Sequence, residues 1–444
     1  MALWASPGNA NGTGRFAIGH REGGCLLNVD LLEVAYCEGW DFGAGAMAGP
    51  MSTALAGQRD AAGEQYAVLL SAAGRPVALI EVARGELHYG LRVFAGQSRF
   101  ASEVDCRLLE QDRLFMAEQR LGPLPDDEQL ARPGRKWRRV VSARPGYVQE
   151  KEEITGALRH RHGPADTGEY WVDLPEFGDW GRFIHSFPSA LNAAGLDVPA
   201  TAALFDVSAP DGPGLALGER PWRPPRALAP DPAHLGRLFA AGTRLAYKTA
   251  GGLGAGNESV ERVTVEVADA GKLRMPSGRV VAKDPTWFTH VDAFTVTVAP
   301  GEYPVLLSVV RFADSPGHTR VAAAKLVIRD EPPQTWEMAL VPGQDPRLLG
   351  NQEFYGFGVD AGTGCFYDDS AAEAFSEIMH DIPGEWISGS MTDPDSGANL
   401  IAYRSGWGDG SYPTWIGRDH GGNVTCFVSD MLLMRGSVTA EERL

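Results

Sequence analysis

Of the ionisable side chains between residues 360 and 420, six are candidates for acid–base or metal chemistry: Asp360, Asp368, Asp369, Asp409, Asp419 and His420. They lie in two glycine-rich runs, EFYGFGVDAGTGCFYDD (353–369) and SGWGDGSYPTWIGRDHGG (405–422). Glycine turns sharply and leaves backbone amides open, so Gly362, Gly364, Gly410 and Gly421 are read as the loop-shaping positions. Such loops can hold an anion on their amides or a divalent cation on their carboxylates. Three readings are open. Each aspartate could bond its own turn. Several could share a divalent cation, although the regular acidic spacing of an EF-hand is absent. Or Asp360, Asp409 and Asp419 could position a metal-activated water, with His420 or His380 as the nearest base. No other cofactor is indicated.

Other signals are weaker. GGLGAGNES (251–259) lacks the Lys-Ser/Thr ending of a phosphate loop. His160 and His162 could ligate a metal from one strand face, but no acidic or cysteine partner sits at metal-binding spacing, and a solvated loop end is the preferred reading. The cysteines Cys25, Cys37, Cys106, Cys365 and Cys426 are odd in number and widely spaced, which fits core thiols and not a disulfide framework. Arg135, Lys136, Arg138 and Arg139 surround Trp137, a cluster read as solvated or ion-paired surface because the chain carries a net charge of −17. Nucleic acid is therefore not an expected partner. The start, MALWASPGNANGTGRF, has no basic segment followed by an apolar core, and no run of about 18 apolar residues occurs. The expectation is a cytoplasmic chain without a membrane partner.

The elements that must place these residues read as mainly β with a few short helices, an α+β composition rich in turns, with 54 glycines and 30 prolines. Residues 25–37, 64–85 and 88–96 read as strands, 44–57 as a small-residue connection, and 102–120 as a helix capped by Ser102 and Asp105. PDGPGLALGERPWRPPRALAP (210–230) is a proline-stiffened linker separating a first domain (1–230) from a β-rich second domain (231–444). In the latter, Asp231–Pro232 starts a helix. Residues 262–285 alternate, with turns at Asp269–Gly271 and Pro276–Gly278. Residues 293–312 read as two strands about a Pro–Gly turn, with Phe294, Val296 and Val298 on the buried face. Successive hairpins predict an antiparallel sheet or sandwich. Ser370 and Glu373 predict a capped helix over 370–384, placing Asp360, Asp368 and Asp369 in the loop that feeds it. Strands 398–404 and 424–428 follow, with Asp409 and Asp419 in the intervening loops. If those two strands pair, Asp409 and Asp419 can approach each other.

Several motifs in order, PSGRVVAKDP, APGEYPVLLSV, TWEMAL, GFGVDAGTGCFYD and SGWGDGSYPTWIGRDHGGNVTCFVSD, carry a likeness. The region from about 240 to 440 resembles the bacterial domain of unknown function 4241. The resemblance implies no activity. It marks Pro276–Gly278, Asp284, Asp360, Gly362, Gly364, Cys365, Asp409, Gly410 and Asp419 as characteristic positions. The function expected is a binding or structural module that engages a protein or small molecule through the acidic Gly–Asp loop face of the second domain. The alternative is a metal-dependent hydrolase of an ester or phosphoester centred on Asp360, Asp409 and Asp419.

Overall fold

The computed structural model describes residues 27–96, 99–122, 136–143, 146–154, 157–249, 259–286, 291–375, 387–395 and 397–439. Strand dominates them, with four short α-helices, the sheet-rich α+β class that the alternating patterns predict. The chain divides into two compact units: Met1–Arg138, Lys151–Arg159 and Val172–Trp222 form one, and Arg139–Glu150, His160–Trp171 and Arg223–Leu444 the other.

The first unit runs β1 (Leu31–Asp41), β2 (Ala46–Met51), α1 (Thr53–Ala62), β3 (Tyr66–Ala72), β4 (Arg75–Ala83), β5 (His88–Phe94), β6 (Phe100–Leu108) and β7 (Arg113–Leu121). Strands β8 (Lys136–Ala143), β9 (Gly146–Ile154) and β10 (Ala157–Ala165) follow in the chain, then α2 (Trp180–His185), α3 (Pro188–Ala193) and β11 (Ala203–Asp206). A sheet ordered β11–β1–β3–β4–β5–β6–β7, antiparallel except at β11, turns Val68, Leu70, Ile80, Leu91, Val104 and Leu114 toward Trp180, Phe183 and Leu191 of the helices.

Residues 102–120 are not a helix. They form the β6–β7 hairpin, because Val104 and Cys106 alternate with Glu103, Asp105 and Arg107 at period two, and both faces are needed. Ser102, read as a cap, donates instead to the Ala190 carbonyl at 2.8 Å, and Asp105 pairs with Arg92. The stretch 44–57 is also more than a connection: it holds β2 and the start of α1, whose cap Ser52 accepts from the Leu55 amide.

The second unit holds α4 (Pro232–Arg237), β12 (Arg244–Thr249), β13 (Ser259–Met275), β14 (Val280–Lys283), β15 (Gly301–Phe312), β16 (Ser315–Val327), β17 (Thr335–Met338), β18 (Gly356–Val359), β19 (Thr363–Asp368), β20 (Ser388–Thr392), β21 (Asn399–Arg404), β22 (Gly410–Arg418) and β23 (Val424–Asp430). Asp231 caps α4 as the sequence predicts, accepting from the His234 amide. A large antiparallel sheet runs β17–β22–β23–β16–β15–β13–β12, and a small one β14–β19–β21–β20. Leu273, Leu307, Val321, Leu326 and Phe427 of the first share a core with Val280, Phe366, Ile401 and Tyr403 of the second. Each such side chain, removed from water, contributes about 1.5–3 kcal/mol before chain entropy is counted.

Local departures have local causes. The predicted turn at Asp269–Gly271 is a bulge inside the long β13, where Gly271 takes φ +98° and donates to Asp269. Residues 293–298 do not pair with β15. Phe294, Val296 and Val298 do pack on the core, but their segment is held by single bonds to Val280, Leu340 and Gly278. The glycine-rich run 356–368 is mostly hairpin, β18 and β19, and most of 410–418 is strand β22. Strands β21 and β23 do not pair, since they belong to different sheets.

Candidate functional site

Two loops of the second unit meet at one end of the central strands β19 and β21 of the small sheet. The first, Asp360–Gly362, joins β18 to β19. Its Asp360 and Ala361 amides both donate to Asp284 Oδ2, at 2.8 and 2.9 Å. Asp284 is fully buried just beyond β14, and its other oxygen accepts from the Thr286 amide and hydroxyl at 2.8 and 2.7 Å. One carboxylate thus takes four donors, and Gly362 completes the turn at φ +63°. The second loop, Ser405–Asp409, joins β21 to β22. Tyr412 Oη reaches the carbonyls of Ser405 and Gly408, at 3.1 and 2.7 Å, and closes it. The loops are tied together: the Gly362 amide donates to Asp409 Oδ1 at 3.2 Å, and the Ser405 amide to the Gly362 carbonyl at 3.1 Å.

Of the acidic residues singled out from sequence, the geometry therefore brings together the loops of Asp360 and Asp409, both exposed. The others go elsewhere. Asp368 is completely buried and accepts from the Ser277 amide and hydroxyl, the Gly278 amide, and the Ser370 amide and hydroxyl. It pins the Pro276–Gly278 turn, where Gly278 has φ +72° and a Cβ would come within 2.0 Å of the Val298 carbonyl oxygen. Asp369 pairs with Arg279 at 3.1 Å. Where the helix was expected to start, Asp368 and not Ser370 caps a single 3-10 turn, Asp369–Ala371; residues 376–386, with His380, lie outside the described residues.

Asp419 and His420 occupy the β22–β23 turn. Asn423 donates from its side chain and backbone to Asp419, which holds that carboxyl below its ordinary range. Asp409 and Asp419 flank the nine residues of β22, so about 30 Å of extended strand separates them. The proposed Asp360–Asp409–Asp419 centre does not assemble, because the intervening residues are strand and not loop. Among the described residues no three His, Cys, Asp or Glu side chains stand together as a metal-holding group. The glycines divide similarly. Gly362 shapes a loop, whereas Gly364 lies within β19, where a Cβ would meet the Tyr403 and Phe357 rings at 2.8 and 3.0 Å. Gly410 opens β22 against Tyr412, and in the 419–423 turn Gly422, not Gly421, takes the positive φ.

Beside the two loops is a cleft of about 190 Å³. Among the described residues, those that line it include arginines and a tryptophan and no acid. Arg320 and Thr319 of β16, Arg404 of β21, Ile387 and the Gly406–Gly408 segment with Trp407 line it, and Gly362 forms part of the rim. Trp407 is 60% exposed, with the Arg320 guanidinium 5.2 Å from its ring centre. His318 lies 5.9 Å from the same ring and stacks on Phe312. Sequence reading passed over this group. The available signal was a tryptophan set between two glycines, three residues after an arginine.

The described thiols, Cys37, Cys106, Cys365 and Cys426, are all buried. Cys365 is buried, its sulfur 3.3 Å from the Lys283 carbonyl, and burial pushes its pKa up to about 12; Cys426 is raised by burial too. Of the basic cluster, Arg139 makes a bidentate ion pair with Glu353, while Arg135 lies outside the described residues. So do the 251–258 portion of the phosphate-loop-like stretch and the side chains of His160 and His162.

A second polar concentration, also missed, fills one sheet face of the first unit. Arg92 bridges Glu81 and Asp105, at 3.0 and 2.7 Å. Arg107 Nη1 lies 2.8 Å from His88 Nδ1; a guanidinium only donates, so the His88 proton sits on Nε2. Burial, only partly offset by Arg92, pushes Glu81 up to about 7, and burial holds His88 down at about 3. Gly90 is required beneath them, since a Cβ would lie 2.7 Å from Glu81 Oε2 and 3.2 Å from His88 Nε2.

The Asp284-anchored turn, the Asp368-pinned Pro276–Gly278 turn and the cleft all fall in one stretch, and that stretch has relatives. Residues 273–429 match the family described as "Protein of unknown function (DUF4241)". The N-terminal portion has no family match. No curated protein and no solved structure matches the chain significantly. The DUF4241 region thus contains both loops, the two buried aspartates that shape their surroundings, and every cleft residue named above. No helix among the described residues is long and apolar enough to cross a membrane.

Proposed function

We propose that the DUF4241 region is a binding module that takes a small molecule on its Gly–Asp loop face, at the cleft framed by Asp360–Gly362 and Ser405–Asp409. One observation carries this reading: the loops spend their polar groups on each other and on Asp284, and so form a rigid rim around a cavity with an exposed tryptophan. Preformed concave sites with an aromatic wall and a few fixed polar groups are what small ligands use. The size of the cleft favours a small molecule over a protein segment, and catalysis receives no support from carboxylates that are either consumed as loop acceptors or set about 30 Å apart along β22. The test is a crystallographic fragment soak of the full chain, with a parallel manganese soak. Fragment density against Trp407 and Gly362 is expected. An empty cleft with manganese bound between Asp360 and Asp409 would overturn the reading in favour of a metal centre.

A further inference from the structure

We propose that the first unit, which has no family match, holds an aromatic slot for a flat organic cation, and that Phe177 occupies this slot as the chain's own plug. Three rings make its walls: Tyr36 of β1, Tyr66 of β3 and Trp180 of α2, each at most 3% exposed. The Phe177 ring lies flat on Tyr36, with centroids 5.3 Å apart and planes at 13°, and meets Tyr66 and Trp180 at 6.3 and 5.9 Å. Gly57 of α1 borders the slot, where a Cβ would touch the Phe177 ring at 3.6 Å. The walls are held independently of their occupant. Trp180 Nε1 donates to Tyr36 Oη at 3.1 Å, Tyr66 Oη donates to Asp60 Oδ1 at 2.9 Å, and all three rings belong to the packed core of the unit. Walls fixed in this way relax only partly when their occupant leaves, so the slot stays open to another ring.

Phe177 differs from its neighbours. It is 36% exposed and stands in irregular backbone, residues 174–179, where Gly178 takes φ +96° just before α2. The Leu174 amide ties one end of this segment to the Asp112 carbonyl at 2.9 Å, and the Asp179 amide closes the other on the Glu176 carbonyl at 3.0 Å. Neither bond holds the ring, so Phe177 can turn out without breaking a strand or a helix. Electrostatics sets the charge of what replaces it. The faces of phenol and indole rings are negative and attract cations. Asp60 adds a carboxylate at the Tyr66 hydroxyl, and Asp206, which accepts from the Thr53 hydroxyl and the Ser208 amide, adds another nearby. Burial raises the Tyr36 phenol, the Trp180 bond opposes the rise, and the charges of Asp206 and Asp60 add to it, so both carboxylates act on the slot. A phenyl-shaped slot in a negative field fits a positively charged aromatic ring, of which pyridinium is the simplest.

The experiment is isothermal titration of the full chain and of its Phe177→Ala variant with N-methylpyridinium, a charged ring with the outline of the Phe177 side chain, and with toluene, its uncharged isostere. Phe177→Ala is expected to bind N-methylpyridinium at least about tenfold more tightly than the parent, which must first expel its own ring. It should also prefer that cation to toluene by about fivefold or more. Asp60→Asn in the Phe177→Ala chain keeps an acceptor for Tyr66 and should weaken the cation about fivefold or more while leaving toluene unchanged. In the parent, N-methylpyridinium at about 50 mM should quicken amide exchange at residues 176–179, a reading that needs no variant and serves if Phe177→Ala fails to fold. Toluene bound by Phe177→Ala as tightly as the cation, or cation binding indifferent to Asp60→Asn, would show that Phe177 only fills core and overturns the inference. Unchanged exchange at residues 176–179 in the parent overturns it as well.

Discussion

Replacing Asp284 by asparagine separates a carboxylate that folds a loop from one kept for a ligand. Asp284 is fully buried, with Oδ2 taking the Asp360 and Ala361 amides and Oδ1 taking the Thr286 amide and hydroxyl. Asparagine keeps one oxygen and puts an NH₂ where the other stood, so two donors face a donor whichever way the amide turns. Each buried group left unsatisfied costs about 1–3 kcal/mol, which gives a loss of about 3–5 kcal/mol for the variant. Urea unfolding of the full chain should show the transition of the second unit moving to lower denaturant with its slope unchanged. Amide exchange at Asp360 and Ala361 should accelerate, because those two protons lose their acceptor. A loss below about 1 kcal/mol with unchanged exchange at both amides would refute the claim that Asp284 builds the loop. As a contrast, Asp360→Asn changes an exposed carboxylate and should stay within about 0.5 kcal/mol of the parent.

Further outcomes follow from the same geometry. Gly278→Ala should cost at least about 2–3 kcal/mol, read from the same unfolding curves, because φ +72° and the Val298 carbonyl at 2.0 Å leave no room for a Cβ. Glu81 is raised from its ordinary 4.5 to about 7, so its burial penalty is absent below pH 4.5, grows between 4.5 and 7, and is complete above. Glu81→Gln should therefore gain on the parent between pH 5 and pH 8, by at most about 3 kcal/mol; an equal difference at both values would contradict this. His88, held neutral down to about 3, works the other way: its contribution is complete above about 6.5 and is lost as pH falls from 6.5 toward 3, which His88→Gln should flatten. Asp419→Ala removes only an exposed turn contact and should leave both the unfolding midpoint and any cleft binding nearly unchanged.

The strands whose partners are their chain neighbours were legible. Residues 64–85 are two apolar runs about a short turn and form the β3–β4 hairpin, and Asp231–Pro232 starts α4, because the cap bond closes within three residues. The β6–β7 hairpin misled because its second face carries Glu103, Asp105 and Arg107, which look like a solvated helix side until the Arg92 of β5 stands beside them. In the same way the apparent Ser370 cap is a donor to Asp368, and Asp368 itself works across more than ninety residues on Ser277.

What the sequence determined by itself was the sheet-rich class, the turns at Pro276–Gly278 and near Asp360, and the likeness over the second domain; all are short-range or pattern properties of the chain. Only the tertiary structure decided which carboxylates meet. Asp409 accepts from Gly362 and stands away from Asp419, because β22 is an extended strand paired with β17, β18 and β23, and Arg320 of β16 reaches the same cleft as Arg404 of β21 because two sheets pack on one core. Residue spacing sets which face a side chain takes. Strand partners, chosen by burial over long separations, set what that face meets.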